Sequence, residues 1–426
     1  MPHTDFWGEA LVWGDKNSQP SQEACCKACR TYTPNAENEF STCNVWVFCG
    51  DRALCGDSYG QCWLKHLAHP LASKAASEGP EVGWTTGVFH AAGSAVDPPP
   101  DPTEDRSFHT VITAQGSAVH WQSRVGYYWF LKTRKACRAA GKCEMGGFTR
   151  VLHSGEADDL MEEIPTYVAQ PLPKEHPNHG YVVLNRPYAL MQWARDVTLP
   201  EKYVLMSEPD HVWLKPMPNL MSGHHPAAFP FFYIEPSTKK NMPLVAKYVG
   251  AITKQEAEQI APIGNAPTMM HWDDLQRAMP VWFNVSIAVH EDEETAKEWG
   301  WVQEMYAFTL SLYKVGIKRV DLFLEMMAQP PWDTELAPPY ILHYTYGMDY
   351  TLEGEFTPGK YGAWRFDKRS YAALPPPRNL GEPPAGMKNE LVRHLIHAIN
   401  EASAAIPGWD QYAKTGKAEQ LWDGKV

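Results

Sequence analysis

Residues 201–216 read Glu-Lys-Tyr-Val-Leu-Met-Ser-Glu-Pro-Asp-His-Val-Trp-Leu-Lys-Pro. The apolar run predicts a buried β-strand, and it ends abruptly in two carboxylates and an imidazole at Glu208, Asp210 and His211. Open α/β sheets bind ligands at the carboxyl ends of their parallel strands, so we expect these side chains to lie at a binding site. An acidic-x-acidic step of this kind suits a divalent cation. Taken alone, the same carboxylates could cap the strand or begin a turn.

Length and composition are those of a globular protein. The chain has 426 residues, which allows two or three domains, and 44% of them are hydrophobic. The 50 acidic and 38 basic residues give a net charge of -12, which argues against nucleic acid or an anionic membrane surface as a partner. The sequence contains neither the glycine-rich motif of dinucleotide-binding enzymes nor a P-loop. Any anionic ligand must therefore be held by local charges.

Cysteines cluster near the start of the chain. Seven of the nine lie within residues 25–62, and Cys137 and Cys143 form a separate close pair. This density is typical of a disulfide framework in a small domain of the secretory pathway. Zinc is the alternative, because Cys26 and Cys29 form a Cys-x-x-Cys pair, but no second ligand pair follows at finger spacing. The odd total leaves at least one thiol unpaired or paired between chains.

Two proline-rich breaks divide the chain. Residues 92–105 contain four prolines and no apolar periodicity, which predicts a semi-rigid spacer. A second break at residues 375–384 precedes an amphipathic helix with Leu391, Leu395 and Ile399 on one face. We predict a disulfide-rich module at 1–90, a linker at 91–106, a large domain at 107–374, and a segment at 375–426 whose helix packs on the large domain.

The large domain has the pattern of an α/β fold. Short β-rich runs alternate with helical stretches at 118–133, 186–196 and 296–316. Such alternation is typical of a mostly parallel sheet wrapped by helices.

Several motifs follow one another along residues 109–371. They are His109-Thr-Val-Ile-Thr-Ala114, Gly147-Phe-Thr-Arg-Val-Leu-His153, Tyr181-Val-Val-Leu-Asn-Arg-Pro187, Ala227-Ala-Phe-Pro-Phe-Phe-Tyr233, Pro262-Ile-Gly-Asn-Ala-Pro267, Gly300-Trp-Val-Gln-Glu-Met-Tyr306 and His343-Tyr-Thr-Tyr-Gly347. In this order they resemble the hydroxyproline O-arabinosyltransferases of plants and algae, a family similar in turn to the peptidyl-serine galactosyltransferases. Phrases such as Cys43-Asn-Val-Trp-Val-Phe-Cys49 and Gly83-Trp-Thr-Thr-Gly87 resemble a PAN/apple module.

The resemblance implies a GT-A glycosyltransferase domain preceded by a small PAN/apple-like domain. It implies retaining transfer of L-arabinofuranose from UDP-β-L-arabinofuranose to hydroxyproline in a hydroxyproline-rich peptide or glycoprotein. It also implies the Golgi lumen of the secretory pathway. The family consists of type II membrane proteins, but this sequence has no apolar run of 18 residues or more, so we expect no membrane span in it. Two alternatives stay open, namely α-galactosyl transfer to peptidyl serine and a secreted carbohydrate- or matrix-binding protein with an inactive transferase domain.

The resemblance also adds a histidine to the expected cation site. Several related glycosyltransferases take their third ligand from a C-terminal His-Tyr phrase, which makes Glu208, Asp210 and His343 the predicted metal ligands. Carboxylate and imidazole together favour Mn²⁺, with Mg²⁺ possible. His211 competes for the third position, but neighbouring side chains of an extended strand face opposite ways, so we expect it to point away from Asp210 unless the loop bends sharply. A histidine satisfied in the core is the alternative for His343.

Eight further residues are expected to hold the nucleotide sugar. The first strand should end beside the nucleotide, and a helix beginning near residue 185 should present its positive end to anionic oxygens of the ligand. A tight turn near residue 264 should approach the sugar. Two basic side chains late in the sequence should reach the diphosphate. A plain strand, a salt bridge and a solvated loop are the alternatives. In chain order these residues are Thr113, Ala114, Asn185, Arg186, Gly264, Asn265, Arg365 and Lys368.

Glu304 is the predicted catalytic residue. It lies on a predicted helix among apolar residues, where a carboxylate without a partner is costly. We expect it to stabilise positive charge at the reacting sugar or to bind the acceptor hydroxyl. A buried structural ion pair is the alternative.

Overall fold

The computed structural model describes residues 1–34, 42–89 and 103–426, so most of the predicted linker at 91–106 lies outside the described residues. The strands are β1 Thr4–Asp5, β2 Glu9–Val12, β3 Val45–Cys49, β4 Cys62–His66, β5 Ser77–Glu78, β6 Trp84–Val88, β7 Phe108–Ala114, β8 Met145–Leu152, β9 Thr166–Val168, β10 Tyr203–Ser207, β11 His211–Trp213, β12 Ala227–Pro230, β13 Ile263–His271, β14 Asp321–Leu322, β15 Met327–Ala328, β16 Ile341–His343, β17 Met348–Tyr350 and β18 Trp364–Phe366. The α-helices are α1 Gln22–Arg30, α2 Arg52–Cys55, α3 His120–Ala139, α4 Asn185–Asp196, α5 Met242–Val249, α6 Lys254–Ala257, α7 Trp272–Glu291, α8 Glu293–Trp299, α9 Gln303–Lys314, α10 Glu390–Ala405 and α11 Trp409–Thr415.

The chain forms two compact units. One comprises residues 1–98 with 235–262, and the other comprises residues 99–234 with 263–426. The predicted large domain includes residues 235–262, whereas in the structure these residues belong to the same compact unit as residues 1–98. The predicted domain boundaries stay a prediction.

The first unit contains an antiparallel sheet in the order β2-β4-β3-β6. Helix α1 carries two fully buried cysteines that pack with Trp46 and Leu64. Disulfides join Cys25 to Cys62, Cys29 to Cys43, and Cys49 to Cys55. The predicted disulfide framework is confirmed. The zinc alternative is wrong, because Cys29 is bonded to Cys43 and Cys26 is the free cysteine.

The second unit is built on a seven-stranded sheet in the order β14-β12-β13-β10-β7-β8-β9. Strands β9, β8, β7 and β10 run parallel, whereas β13 is antiparallel to both β10 and β12. The α/β fold class is therefore confirmed. The chain moves outward from β7 through β8 and β9 and then returns to the other side of β7 as β10. This reversal is a topological switch point, and open α/β sheets bind ligands at such a point, so a binding site is expected at the carboxyl ends of β7 and β10.

Helices cover the sheet of the second unit. The C-terminal helix α10 packs on α3, where Trp129 Nε1 donates to the carbonyl of Ala398 at 3.0 Å and Tyr128 donates to Glu401 at 2.7 Å. The apolar face of α10 is fully buried. On α3, Arg124 Nε donates to Glu163 Oε2 at 2.7 Å, and neither side chain of this pair is exposed.

The single predicted helix at 296–316 is wrong. The structure divides this region into α8 and α9, because Gly300 adopts a φ of +48° that ends the first helix. A short 3-10 turn at Gly300–Val302 then leads into α9. No helix within the described ranges is both long enough and apolar enough to span a membrane.

Candidate active site at the carboxyl end of the sheet

The end of β10 turns sharply instead of continuing as a strand. The backbone N–H of His211 donates to the carbonyl of Glu208 at 3.2 Å, which closes a turn through Pro209 and Asp210 before β11 begins. Helix α3 passes close to this turn at Gly126, where a Cβ atom would lie 2.9 Å from the carbonyl oxygen of Pro209. Glycine in the middle of a helix costs about 1 kcal/mol relative to alanine, so this close approach accounts for its presence.

Asp210, His211 and His343 form the candidate metal cluster. Strands β11 and β16 pair so that His211 lies opposite His343, and the two ring centroids are 4.7 Å apart. Nε2 of His343 lies 3.2 Å from Oδ2 of Asp210. Each of the three residues offers a ligand atom within 4.8 Å of the others, and this is the one such cluster of His, Cys, Asp or Glu that the described parts of the chain contain.

His211 and Asp210 converge because the loop bends sharply, the one case in which the sequence allows this. Alternation of side chains applies to an extended strand, and the turn through Pro209 and Asp210 breaks it. Nδ1 of His211 lies 2.8 Å from Ser207 Oγ and accepts a hydrogen bond from the backbone N–H of Glu208 at 3.3 Å. Its Nε2 is buried and has no hydrogen-bond partner among the described residues. Burial lowers the pKa of His211 well below its usual value, which keeps the imidazole neutral. A neutral imidazole can bind a cation through the ring nitrogen that carries no proton.

Lys368 completes the surroundings of Asp210. Its ammonium group contacts the same Oδ2 atom that His343 approaches. Only 2% of the Asp210 side chain is exposed. Burial by itself would raise the pKa of this carboxyl, but Lys368 and His343 outweigh that effect and hold the pKa well below its usual value. Asp210 is therefore a buried, ionised carboxylate, and the donor set of one carboxylate and two imidazoles fits a divalent transition-metal ion.

Arg186 joins two carboxylates at the same edge. It lies in the first turn of α4, and its Nη1 is 3.1 Å from Glu208 Oε1 and 3.4 Å from Glu304 Oε2. The Glu304 side chain is only 7% exposed, and the indole of Trp282 donates to its backbone carbonyl at 3.1 Å. Burial raises the pKa of Glu304, and Arg186 offsets only part of this effect. Glu208 therefore faces Arg186, and its role as a metal ligand stays a prediction.

Thr113 and Ala114 lie at the carboxyl end of β7, as the sequence predicts, and both are buried. The Ala114 carbonyl accepts a hydrogen bond from the backbone N–H of His153 at 3.0 Å. Asn185 ties the neighbouring loops together, because its Oδ1 accepts from the N–H of Leu172 at 2.9 Å. These residues lie at the end of β7 and the start of α4, and their contacts with a nucleotide stay a prediction.

His153 lies at the same carboxyl edge of the sheet, and the sequence does not single it out. It directly follows β8, its side chain is buried, and Nδ1 has no hydrogen-bond partner among the described residues. Burial and the nearby charge of Arg186 lower the pKa of His153 to about 3. The sequence does contain a signal for this residue, because His153 ends the motif Gly147-Phe-Thr-Arg-Val-Leu-His153 directly after a strand.

The predicted tight turn at Gly264 and Asn265 is wrong. Both residues lie within β13 and are buried. A Cβ atom on Gly264 would lie 2.6 Å from Cε of Met305, so close packing of α9 on β13 explains this glycine. A role for these two residues in sugar binding stays a prediction.

Arg365 is already engaged by acidic side chains. Its Nη1 lies 3.0 Å from Asp349 Oδ1, and its Nη2 lies 2.8 Å from Asp367 Oδ2. The guanidinium also packs over the ring of Tyr361 at 4.3 Å. Of the two predicted diphosphate ligands, Lys368 contacts the metal cluster directly, while any contact of Arg365 with a diphosphate stays a prediction.

Comparison with known proteins yields a family match across the second unit. Residues 108–322 match the hydroxyproline O-arabinosyltransferase family N-terminal domain, and residues 340–410 match its C-terminal domain. Hydroxyproline O-arabinosyltransferase 1 of Arabidopsis thaliana is 50% identical over 305 residues, which cover 71% of this chain and 81% of that protein. Peptidyl serine alpha-galactosyltransferase of the same plant is 22% identical over 72% of this chain and 37% of that protein.

Solved structures give only a distant likeness. The galactosyltransferase LgtC, in complex with donor and acceptor sugar analogues, covers 56% of this chain and 87% of its own at 11% identity, with a TM-score of 0.34. That score is too low to support an argument. Neither family match reaches residues 1–107, so the PAN/apple resemblance stays a prediction.

Proposed function

The chain belongs to the hydroxyproline O-arabinosyltransferase family, and we propose that it transfers L-arabinofuranose from UDP-β-L-arabinofuranose to peptidyl hydroxyproline. The observation that carries the proposal is 50% identity to a hydroxyproline O-arabinosyltransferase across 81% of that protein's length. The proposal includes a GT-A fold. The switch point between β7 and β10 supports it, because a nucleotide sugar would bind at the carboxyl ends of these strands.

The candidate metal cluster supports a metal-dependent reaction. Asp210, His343 and His211 would hold the ion, and Mn²⁺ suits a donor set of one carboxylate and two imidazoles better than Mg²⁺ does. When bound, such an ion would act as a Lewis acid that neutralises the negative charge of the leaving diphosphate. Glu208 is the remaining predicted ligand.

The other side chains of the site would bind and orient the substrates. Lys368 supplies a cation beside the cluster, where it would bind an oxygen of the diphosphate. Arg186 contacts both Glu208 and Glu304, so the Glu304 carboxylate would be held in a fixed position beside the reacting sugar. Donor and product share the β configuration in the proposed reaction, and departure and attack on the same face need no separate protein base. The diphosphate would take the proton from the acceptor hydroxyl.

The disulfides indicate the compartment. Three lie in the first unit, and a fourth joins Cys137 to Cys143 in the second. Such bonds persist in oxidising compartments, which indicates the secretory pathway. We place the protein in the Golgi lumen as part of the same proposal.

A donor and acceptor panel tests the proposed function. The protein would be incubated with Mn²⁺ and either UDP-β-L-arabinofuranose or UDP-galactose, and with three matched peptides that carry hydroxyproline, proline or serine at one position. We expect one pentose on the hydroxyproline peptide and none on the proline peptide. Transfer of galactose to serine, without pentose transfer, would contradict the proposal and support the galactosyltransferase alternative.

A further inference from the structure

Asp210 Oδ2 is shared by two partners that approach from different parts of the chain. Nε2 of His343 lies 3.2 Å away, and the Lys368 ammonium contacts the same oxygen. With only 2% of the Asp210 side chain exposed, there is little solvent to screen this charge. The ammonium is therefore the cation that neutralises a carboxylate from the candidate metal cluster.

A divalent ion on Asp210 would create an electrostatic conflict with this ammonium. Asp210 is the one carboxylate of the candidate metal cluster, and the two imidazoles of the cluster add no negative charge. An ammonium and a divalent ion on one carboxylate leave an excess of positive charge in a buried place, which is costly. The nearby guanidinium of Arg186 adds to this cost, although Glu208 and Glu304 pair with it. A diphosphate that enters with the ion would remove the excess positive charge, because it is itself an anion.

The structure allows the Lys368 side chain to move while its backbone stays fixed. Lys368 begins a 3-10 helix, Lys368–Tyr371, whose N-cap residue Asp367 accepts from the backbone N–H of Arg369. Trp121 Nε1 donates to the carbonyl of Tyr371 at 3.2 Å, which ties this segment to α3. The Lys368 side chain itself is 20% exposed and ends in a flexible four-carbon stem. The ammonium can therefore leave Asp210 without any change in the chain path.

We propose that Lys368 couples cation binding to donor binding. Its ammonium and a divalent ion compete for Asp210 Oδ2. The donor diphosphate ends this competition, because its oxygens accept hydrogen bonds from the ammonium and ligate the ion. Tight binding of the divalent ion then requires the nucleotide, so the ion occupies the site only when the donor is present. This inference rests on the proposed function, because it assumes a diphosphate donor and a divalent ion at this cluster.

Mn²⁺ titration with and without UDP tests the coupling. Free Mn²⁺ would be followed by electron paramagnetic resonance, a readout independent of transfer activity. In the wild-type protein, saturating UDP should tighten Mn²⁺ binding by about tenfold or more, within the usual range of coupling between sites. In Lys368→Gln, Mn²⁺ alone should bind about tenfold more tightly than in the wild type, and the effect of UDP should shrink by the same factor.

Two further variants make the test specific. Lys360→Gln removes an equal charge from an exposed lysine of the same region and should behave as the wild type. Lys368→Arg keeps a cation beside Asp210 and should retain weak nucleotide-free Mn²⁺ binding. Circular dichroism shows whether Lys368→Gln is folded. If this variant does not fold, the Mn²⁺ titrations of the wild type and of Lys368→Arg decide the outcome.

The outcomes separate this inference from the function on which it rests. Wild-type Mn²⁺ binding that is unaffected by UDP overturns the coupling and leaves the metal site intact. Unchanged nucleotide-free binding in folded Lys368→Gln also overturns it. Absence of Mn²⁺ binding under every condition overturns both the coupling and the proposed metal dependence.

Discussion

Oδ2 of Asp210 and Nε2 of His343 lie 3.2 Å apart at the carboxyl edge of the sheet. Asp210 belongs to the part of the chain that matches the N-terminal domain of the family, and His343 belongs to the part that matches its C-terminal domain. The pairing of β11 with β16 brings the two together. The candidate metal cluster therefore exists only when both matched regions fold as one structure.

Replacing Asp210 should abolish most transfer activity. Asp210→Asn keeps the shape of the side chain but removes its charge, so the cluster would lose its one anionic ligand and, with it, the cation that stabilises the leaving diphosphate. The rate should fall about 100-fold or more. Initial rates at saturating donor measure the effect. Asp410→Asn, an exposed aspartate of α11, serves as the control and should keep its activity. Wild-type rates in folded Asp210→Asn would be incompatible with the proposed site.

His211 and His343 should both contribute to cation affinity. His343→Ala and His211→Ala each remove one imidazole from the cluster, and in the presence of UDP each should weaken Mn²⁺ binding by about tenfold or more. Isothermal titration measures the dissociation constants. If His211→Ala binds Mn²⁺ as the wild type does, the third ligand must be sought elsewhere, with Glu208 as the first candidate.

Glu304 should affect the chemical step more than donor binding. Glu304→Gln keeps the volume of the side chain and leaves Arg186 paired with Glu208. We expect kcat to fall about 100-fold, as for loss of one electrostatic stabiliser, with the dissociation constant of UDP unchanged. Glu293→Gln, at the exposed start of α8, is the matched control. A loss of UDP affinity without a change in kcat would assign Glu304 to structure.

His153 should make stability depend on acid pH. Its pKa is about 3 in the folded protein against 6.5 in the unfolded chain, so between these values the unfolded chain binds the proton and the folded protein does not. Stability is therefore lost as the pH falls from 6.5, by up to about 1.4 kcal/mol per pH unit from this residue. His153→Gln should remove that part of the slope. Urea unfolding at several pH values from 4.5 to 7 measures it, and parallel slopes for variant and wild type would refute the prediction.

The disulfides of the first unit should differ in their contribution to stability. Cys25–Cys62 spans 37 residues and Cys49–Cys55 spans 6. The loop-entropy model gives about 4 kcal/mol for the longer loop and about 2 kcal/mol for the shorter one. Paired alanine replacements at each bridge, compared by urea unfolding, should show the larger loss for Cys25–Cys62. Equal losses would mean that closure of these loops is not what stabilises the unit.

Local sequence was sufficient to predict the strand that carries the site. The apolar run before Glu208 and the carboxylates after it lie within 16 residues of chain, so their strand and its tip could be recognised directly. The amphipathic pattern of α10 was equally local. His343 could be predicted only through the family resemblance, because its proximity to Asp210 depends on strand pairing between distant segments.

The partners of the site residues could not be predicted from the sequence. Lys368 on Asp210, and Arg186 between Glu208 and Glu304, are contacts between side chains far apart along the chain. The side-chain direction of His211 depends on one turn that cancels the alternation of a strand, and the sequence leaves that turn open. The sequence predicts a turn at Gly264, whereas the need for glycine there arises from Met305, which approaches only when α9 packs on β13.

Anomalous diffraction from crystals grown with Mn²⁺ and UDP tests the central claim most directly. We predict one manganese peak bonded to Asp210 and His343, with the UDP diphosphate against the same ion at the carboxyl ends of β7 and β10. A peak bonded to other residues, or a diphosphate bound away from Asp210, would contradict the account.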